Sequence, residues 1–500
     1  MKGVFSGSIA QARIFRKHAT TLIRKSSCSH SRSLGVGLRC GIAASDWPWE
    51  CEVCADPCHI YVAFEDSGAR AQGVEGIAWH LGLACDYGGD WPGAVQAYLL
   101  WLRIQRKNAP PVVVAPIRPR GKTVVVIFCL HRTPDAPSGR WGSHSLAERG
   151  IGGSEEAVIL MSRELALAGF HVEVYAYPPD AEIGADAFGV WWLPVHAYGA
   201  NGQPPPDIFI SWRAYALAAQ GGPSALNFLW LHDRVIGKLM PPDLIAQLAG
   251  VLVLSQHHKA QLPAHAMSKA VLTCNGVASS FWQDGPNLPH LFIFASHPER
   301  GLEELLRVWP IITGSVQGAQ LHVYHGFPEG YGLAGAPEDE LVKMRAFRAR
   351  VDSLLGQATG VHMHGMVNQT TLALAYSRSS FWLYPTSMAE TSCISAMKAM
   401  GNGAIPITSR LPNSGLVETA GEFDLGSPPV RPVATLETDR EMLLAWARSV
   451  IEAAHNAREG RLDDHRQNMK RWARDRYSWG AVARQWSGLF QTHMGRESLK

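Results

Sequence analysis

No apolar run in the chain approaches the ~20 residues that a membrane-spanning helix requires. The longest candidates, TVVVIFCL at Thr123–Leu130 and FLWL at Phe228–Leu231, have the length of buried strands. A basic face is lacking too. The formal net charge of +3 comes from residues 1–45, where eight Lys/Arg stand with no acid; the rest has 38 basic against 43 acidic residues, which argues against a nucleic-acid surface. Cysteine is sparse: nine in 500 residues, without regular spacing, suggests reduced thiols rather than a disulfide framework. One cluster, Cys51, Cys54, Cys58 and His59, gathers soft ligands of the kind zinc takes. Adjacent Cys58 and His59 are poorly placed to share one ion and no second CxxC exists, so free or partly buried thiols are the simpler account.

What is present is the composition of a soluble chain of two or three domains, 46% hydrophobic and 18% charged. The basic, Ser/Thr-rich residues 1–45 have the texture of an organellar transit peptide, and equally of a disordered tail or an upstream extension. No long apolar segment follows, which disfavours a secretory signal; a cytoplasmic or organellar location is expected. Residues 46–108 form a second region. Its stretch 75–107 carries two helical patterns around a Gly88-Gly89-Asp90 turn, with Leu81, Gly82, Gly89, Ala94 and Tyr98 at the offsets of a tetratricopeptide unit. A plain helical hairpin fits nearly as well, and either could recruit a protein partner. Residues 109–121 are a Pro-rich linker.

From residue 122 the pattern changes to short β-rich runs alternating with helices, the signature of α/β folds with parallel sheets. Strands are expected at 123–129, 171–176, 208–212, 226–231, 250–254 and 270–274, and then at 291–295, 321–325, 361–365, 381–385 and 404–408. Two tandem Rossmann-like domains follow, 122–285 and 286–430, joined near Asp284–Pro289. Residues 431–500 are helices that pack back on the body.

Chemistry is expected where strands end and helices begin, because free N–H groups and the helix dipole collect there. Gly152 and Gly153 precede Ser154, Glu155 and Glu156 at a helix start; glycine lets the backbone approach a ligand, while two carboxylates would repel a phosphate. His232 follows the strand NFLWL and should emerge at the sheet's carboxyl end, as a strand cap or as a functional group. Arg300 lies just before a helix, where a guanidinium adds a fork of donors suited to a phosphate or diphosphate. Glu390 ends the loop after SFWLYPT, and Thr391, Ser392 and Cys393 lead into the next helix, which carries Lys398.

The combination of GIGGSEEAV, LHD, NGV at Asn275–Val277, SHPERGLEELL and the SxxE–helix–AIP segment resembles the retaining family-4 glycosyltransferases of the GT-B fold, over about 120–490. The resemblance implies transfer of a hexosyl group from a UDP- or GDP-sugar, with retention, to a protein, glycan or lipid acceptor. No Asp-x-Asp occurs, consistent with a fold that needs no metal for the diphosphate. By position, Glu390 would hold donor hydroxyls, amides of Thr391–Cys393 would face sugar or phosphates, and Arg300 would clamp the diphosphate. Gly152–Gly153 would close over the donor, and His232 would contact the sugar near the reacting carbon. The chain departs from the family in two places: Ala295 stands where an Arg is common, and Lys398 where a Glu usually grips the ribose. Lys398 could serve the diphosphate instead, or the domain could be a degenerate GT-B binding module. An inverting, tetratricopeptide-fused protein-sugar transferase would fit the domain order but not the SxxE segment.

Overall fold

The computed structural model describes residues 38–39, 61–62, 91–108, 116–130, 139–148, 150–199, 204–327, 331, 338–427 and 440–497. The Cys51–His59 cluster, residues 1–37, most of the tetratricopeptide-like stretch and residues 109–115 of the linker lie outside the described residues.

The run VVVIFC is β-branched and apolar on both faces, and a strand with that pattern is stable only when covered on both sides. It forms β1 (Val124–Cys129), buried at every position. Around it are β2 (His171–Ala176), β3 (Gly184–Ala185), β4 (Trp191–Pro194), β5 (Ile208–Trp212), β6 (Leu226–Trp230), β7 (Gly250–Val253) and β8 (Ala270–Leu272). Their order is β8-β7-β6-β5-β1-β2-β4-β3, parallel except for the antiparallel edge strand β3. The second sheet contains β9 (Leu288–Ser296), β10 (Gln320–His325), β11 (Val361–Gly365), β12 (Ser379–Tyr384) and β13 (Ile405–Thr408). Its order, β11-β10-β9-β12-β13, is wholly parallel. The eleven expected strands are all present. The β3–β4 edge was not anticipated, because WWLP is short and lacks alternation.

Helices cover the sheets. α1 (Trp91–Asn108) lies on the first domain, burying Tyr98, Trp101 and Leu102 with Phe128, Tyr175 and Phe209, and Arg106 donates to the His196 carbonyl at 2.7 Å. Tyr98, at one of the tetratricopeptide offsets, is packed on the sheet. α2 (Gly153–Leu167) follows the loop after β1, and α3 (Leu302–Ser315) follows β9. α4 (Glu338–Gln357), α5 (Gln369–Arg378), α6 (Ile394–Gly401) and α7 (Gly415–Ala420) complete the second domain. The chain ends in α8 (Arg440–Arg458), α9 (Asp463–Arg476) and α10 (Trp479–Glu497). α10 returns to the first domain: Trp486 stacks edge-on with Trp230, its Nε1–H donates to Thr273 at 2.8 Å, and Phe490 packs on Phe228. Among the described residues no helix is long and apolar enough to cross a membrane.

Candidate active site

In an open parallel sheet, a crevice forms at the carboxyl ends of adjacent strands whose following connections diverge. In the second domain that point lies between β9 and β12, and the connections leaving it carry Arg300 and Glu390. In the first domain it lies between β1 and β5, followed by the glycine turn and by Arg213.

The second-domain bank is organised around one carboxylate. Glu390 is buried, and its Oε1 accepts from Arg300 Nη1 at 2.6 Å and from the Tyr384 hydroxyl at 2.6 Å. Opposite charge at this distance raises the Arg300 pKa above its already high ordinary value, Glu390 being the largest cause. Burial, followed by the Glu390 charge, drives the Tyr384 phenol well upward, so it acts as a donor. Arg300 leaves a third of its side chain exposed beyond this contact. It sits in the 3₁₀ turn Pro298–Arg300, which ends in Gly301 with φ +108°, a left-handed position where a Cβ would collide with the Pro385 carbonyl. Only glycine lets the turn pass that close to the loop after β12.

That loop is held from several sides. Glu390 N–H donates to Ser414 Oγ at 3.0 Å, Gly415 N–H donates to the Glu390 carbonyl at 2.7 Å, and Ser409 Oγ donates to the Thr386 carbonyl at 2.5 Å. Thr391 and Cys393 are buried at the start of α6, which has no acid in its first turn; burial raises the Cys393 thiol pKa, so it stays protonated. The Ser392 hydroxyl is buried with no protein partner.

The first-domain bank meets this loop directly. Thr391 Oγ1 donates to the His232 carbonyl at 2.7 Å, and Ser255 Oγ donates to the Thr391 carbonyl at 2.6 Å. The His232 ring packs on Trp230 at 4.6 Å, and its Nε2 is buried without a partner. Burial first, then the nearby Arg213 charge, pushes the His232 pKa down to about 3, which makes it a neutral imidazole. Gly152 caps α2, and a Cβ on Gly153 would come within 3.1 Å of Ile394 Cδ1 at the start of α6.

The two acids in the first turn of α2 face different ways. Glu155 lies 3.8 Å from Arg213, which also donates to Asp233 at 2.6 Å; Arg213 is held in the left-handed region at φ 63°. Glu156 turns to the other domain, where Lys398 Nζ donates to its Oε2 at 2.6 Å. Lys398 also donates to Gln369 Oε1 at 2.9 Å and lies 4.8 Å from the centre of the Phe281 ring. Lys398 is thus engaged by a carboxylate of the opposite domain in this conformation. Of the residues singled out from sequence, Glu390 meets Arg300 and His232 meets Thr391, while Gly153 meets the start of α6. Sequence reasoning missed Tyr384, Ser414, Arg213 and Gln369. Tyr384 could have been found as the polar end of a buried strand; the others had no local signal.

Beside Ala295, Ser395 Oγ donates to its carbonyl at 3.1 Å, and Ser296 Oγ lies 3.4 Å from the Tyr384 hydroxyl. His297 packs against His325 and Tyr331, and burial pushes its pKa down to about 3.

No family model matches the chain, and no curated protein matches it in sequence. Solved structures do match in fold. Sucrose-phosphate synthase from Thermosynechococcus elongatus superposes with a TM-score of 0.51 at 16% identity, over 75% of this chain and 100% of that one. HepE from Anabaena, solved with UDP and glucose, gives 0.51 at 11% identity, over 74% and 100%. The catalytic domain of starch synthase IV from Arabidopsis thaliana, bound to ADP and acarbose, gives 0.50 at 13% identity, over 74% and 99%. The chain therefore has the GT-B glycosyltransferase fold, two Rossmann-like domains facing each other across a cleft.

Proposed function

We propose that this protein is a glycosyltransferase that moves a hexosyl group from a UDP- or GDP-sugar to a protein, glycan or lipid hydroxyl, with retention and without a metal ion. The observation that carries this reading is the Glu390 carboxylate, fixed by Arg300 and Tyr384 at 2.6 Å each on the bank that faces His232 and the glycine turn. In the reaction the bond between the anomeric carbon and the diphosphate oxygen breaks, and a bond to the acceptor oxygen forms. The nucleoside diphosphate leaves with the bonding pair, and the acceptor proton is released. Charge on the leaving diphosphate would fall to the exposed edge of Arg300 and the acid-free first turn of α6. Glu390 would fix donor hydroxyls, amides of Thr391–Cys393 would line the sugar or phosphates, and neutral His232 would present its unpartnered Nε2 near the reacting carbon.

Retention and family-4 membership rest on the motif resemblance. UDP bound to the HepE neighbour supports the donor class. The alternative, a degenerate binding module, rests on Ala295 and Lys398. Hydrolysis and transfer from UDP- and GDP-sugars test the proposal. Turnover by the wild type and a loss of about a hundredfold in Glu390→Gln are expected; absence of both turnover and nucleotide binding would sink it.

A further inference from the structure

The pair Glu156–Lys398 joins the two domains, with Lys398 held by a carboxylate at 2.6 Å instead of being left free for a diphosphate. Its surroundings are unusual for an ion pair between domains. The two side chains are only 3% and 6% exposed, so neither charge is hydrated. The remaining polar contacts come from Gln369, whose amide accepts from Lys398 at 2.9 Å and donates to Glu156 at 3.1 Å. Phe281 lies against the ammonium, and the buried Tyr376 phenol lies close enough to feel the Glu156 charge. Three elements, α2 of one domain with α5 and α6 of the other, therefore converge on one buried charge pair.

The backbone around it is equally close. A Cβ on Gly150 would come within 3.0 Å of the Val367 carbonyl, and one on Gly153 within 3.1 Å of Ile394. Both glycines belong to the first domain and both neighbours to the second. Beyond the pair, Glu418 of α7 accepts from the N–H groups of Gln256 and His257, at 2.8 and 2.6 Å, in the first domain.

We propose that Glu156, Lys398 and Gln369 form a latch that holds the cleft closed before a ligand enters. A buried charge is tolerated only while its partner stays in place. Opening the domains would either strand Lys398 and Glu156 in apolar surroundings or require both to be rehydrated together. The glycines set how near the two helix starts can come, and the ion pair keeps them there. Each member acts by positioning the two banks and touches no reacting atom.

The test uses the full chain without ligand, followed by small-angle scattering and hydrogen exchange across residues 391–401. The wild type should scatter as a closed particle. Glu156→Gln and Lys398→Met should each enlarge the radius of gyration and shift the closed-to-open ratio by about a hundredfold or more, read as faster exchange in α6. The reversed pair, Glu156→Lys with Lys398→Glu, should return both readouts toward the wild type, which a merely structural role for either residue would not produce. Gln369→Ala keeps the ion pair and removes its bridge, and should open the cleft in the same direction by less. Folded single variants that scatter and exchange like the wild type would overturn the latch, as would a reversed pair that stays as open as the singles or a Gln369→Ala variant with no effect. Added UDP should close the single variants. Failure of both UDP and GDP to bind would count against the proposed function, while the ligand-free measurements would still decide the latch.

Discussion

Two helices start face to face across the cleft, and they start differently. α2 places Glu155 and Glu156 in its first turn, whereas α6 begins with Ile394, Ser395 and Ala396 and has no acid there. A helix start attracts negative charge. In α2 that attraction is answered from within the chain, and the two carboxylates then gather Arg213 and Lys398. In α6 it is left for something else, beside Arg300 and Glu390. The difference teaches that similar strand–turn–helix junctions divide the work: one is answered by acids of its own that gather cations, the other starts without an acid and stays open to the anion of the proposed donor.

Removing the lysine breaks the comparison most severely. Lys398→Met leaves Glu156 without its cation in the closed state, and should favour opening of the domains by about 3–5 kcal/mol, measured as faster hydrogen exchange in α6. Acid tests both banks at once. His232 and His297 each have a pKa pushed down to about 3, below the ~6.5 expected when unfolded. The unfolded chain therefore binds more protons in this window, so their contribution is complete above pH ~6.5 and is lost as pH falls toward 3. Between pH 6.5 and 5 each should remove about 2 kcal/mol of stability, and His232→Asn should show a shallower acid slope in urea titrations. The smallest change sharpens the contrast between neighbours. Glu155→Gln should cost less than Glu156→Gln, because Arg213 lies 3.8 Å from Glu155 and keeps Asp233 at 2.6 Å; equal losses in Glu155→Gln and Glu156→Gln would erase the distinction.

The parallel strands were readable because runs such as VVVIFC and FWLY are apolar on both faces and bounded by turn residues. Glu390 and Arg300 were readable for a related reason: each follows a buried strand by a few residues, and adjacent strands bring such loops together. What escaped is set by distance along the chain. Glu156 and Lys398 are 242 residues apart and their contact has no local signature. Tyr98 carries helical periodicity that says only that one face is covered, not that a sheet covers it. Trp191–Pro194 pairs at an edge without alternation, so periodicity could not reveal it.

The chain passes between the domains twice, and the passages run side by side. Val277 N–H donates to the Tyr477 carbonyl at 2.8 Å, Val277 bridges Ser478 in parallel, and a Cβ on Gly276 would come within 2.8 Å of the Trp479 nitrogen. Two tethers laid along one line and bonded to each other would act as a door's pivot, resisting sliding and twisting more than a swing about that line. Cutting one crossing would not release the domains, because the other stays covalent and hydrogen-bonded to the cut ends. The travel available to any residue therefore grows with its distance from Val277, so a probe pair placed far from that line would report the swing with the greatest sensitivity.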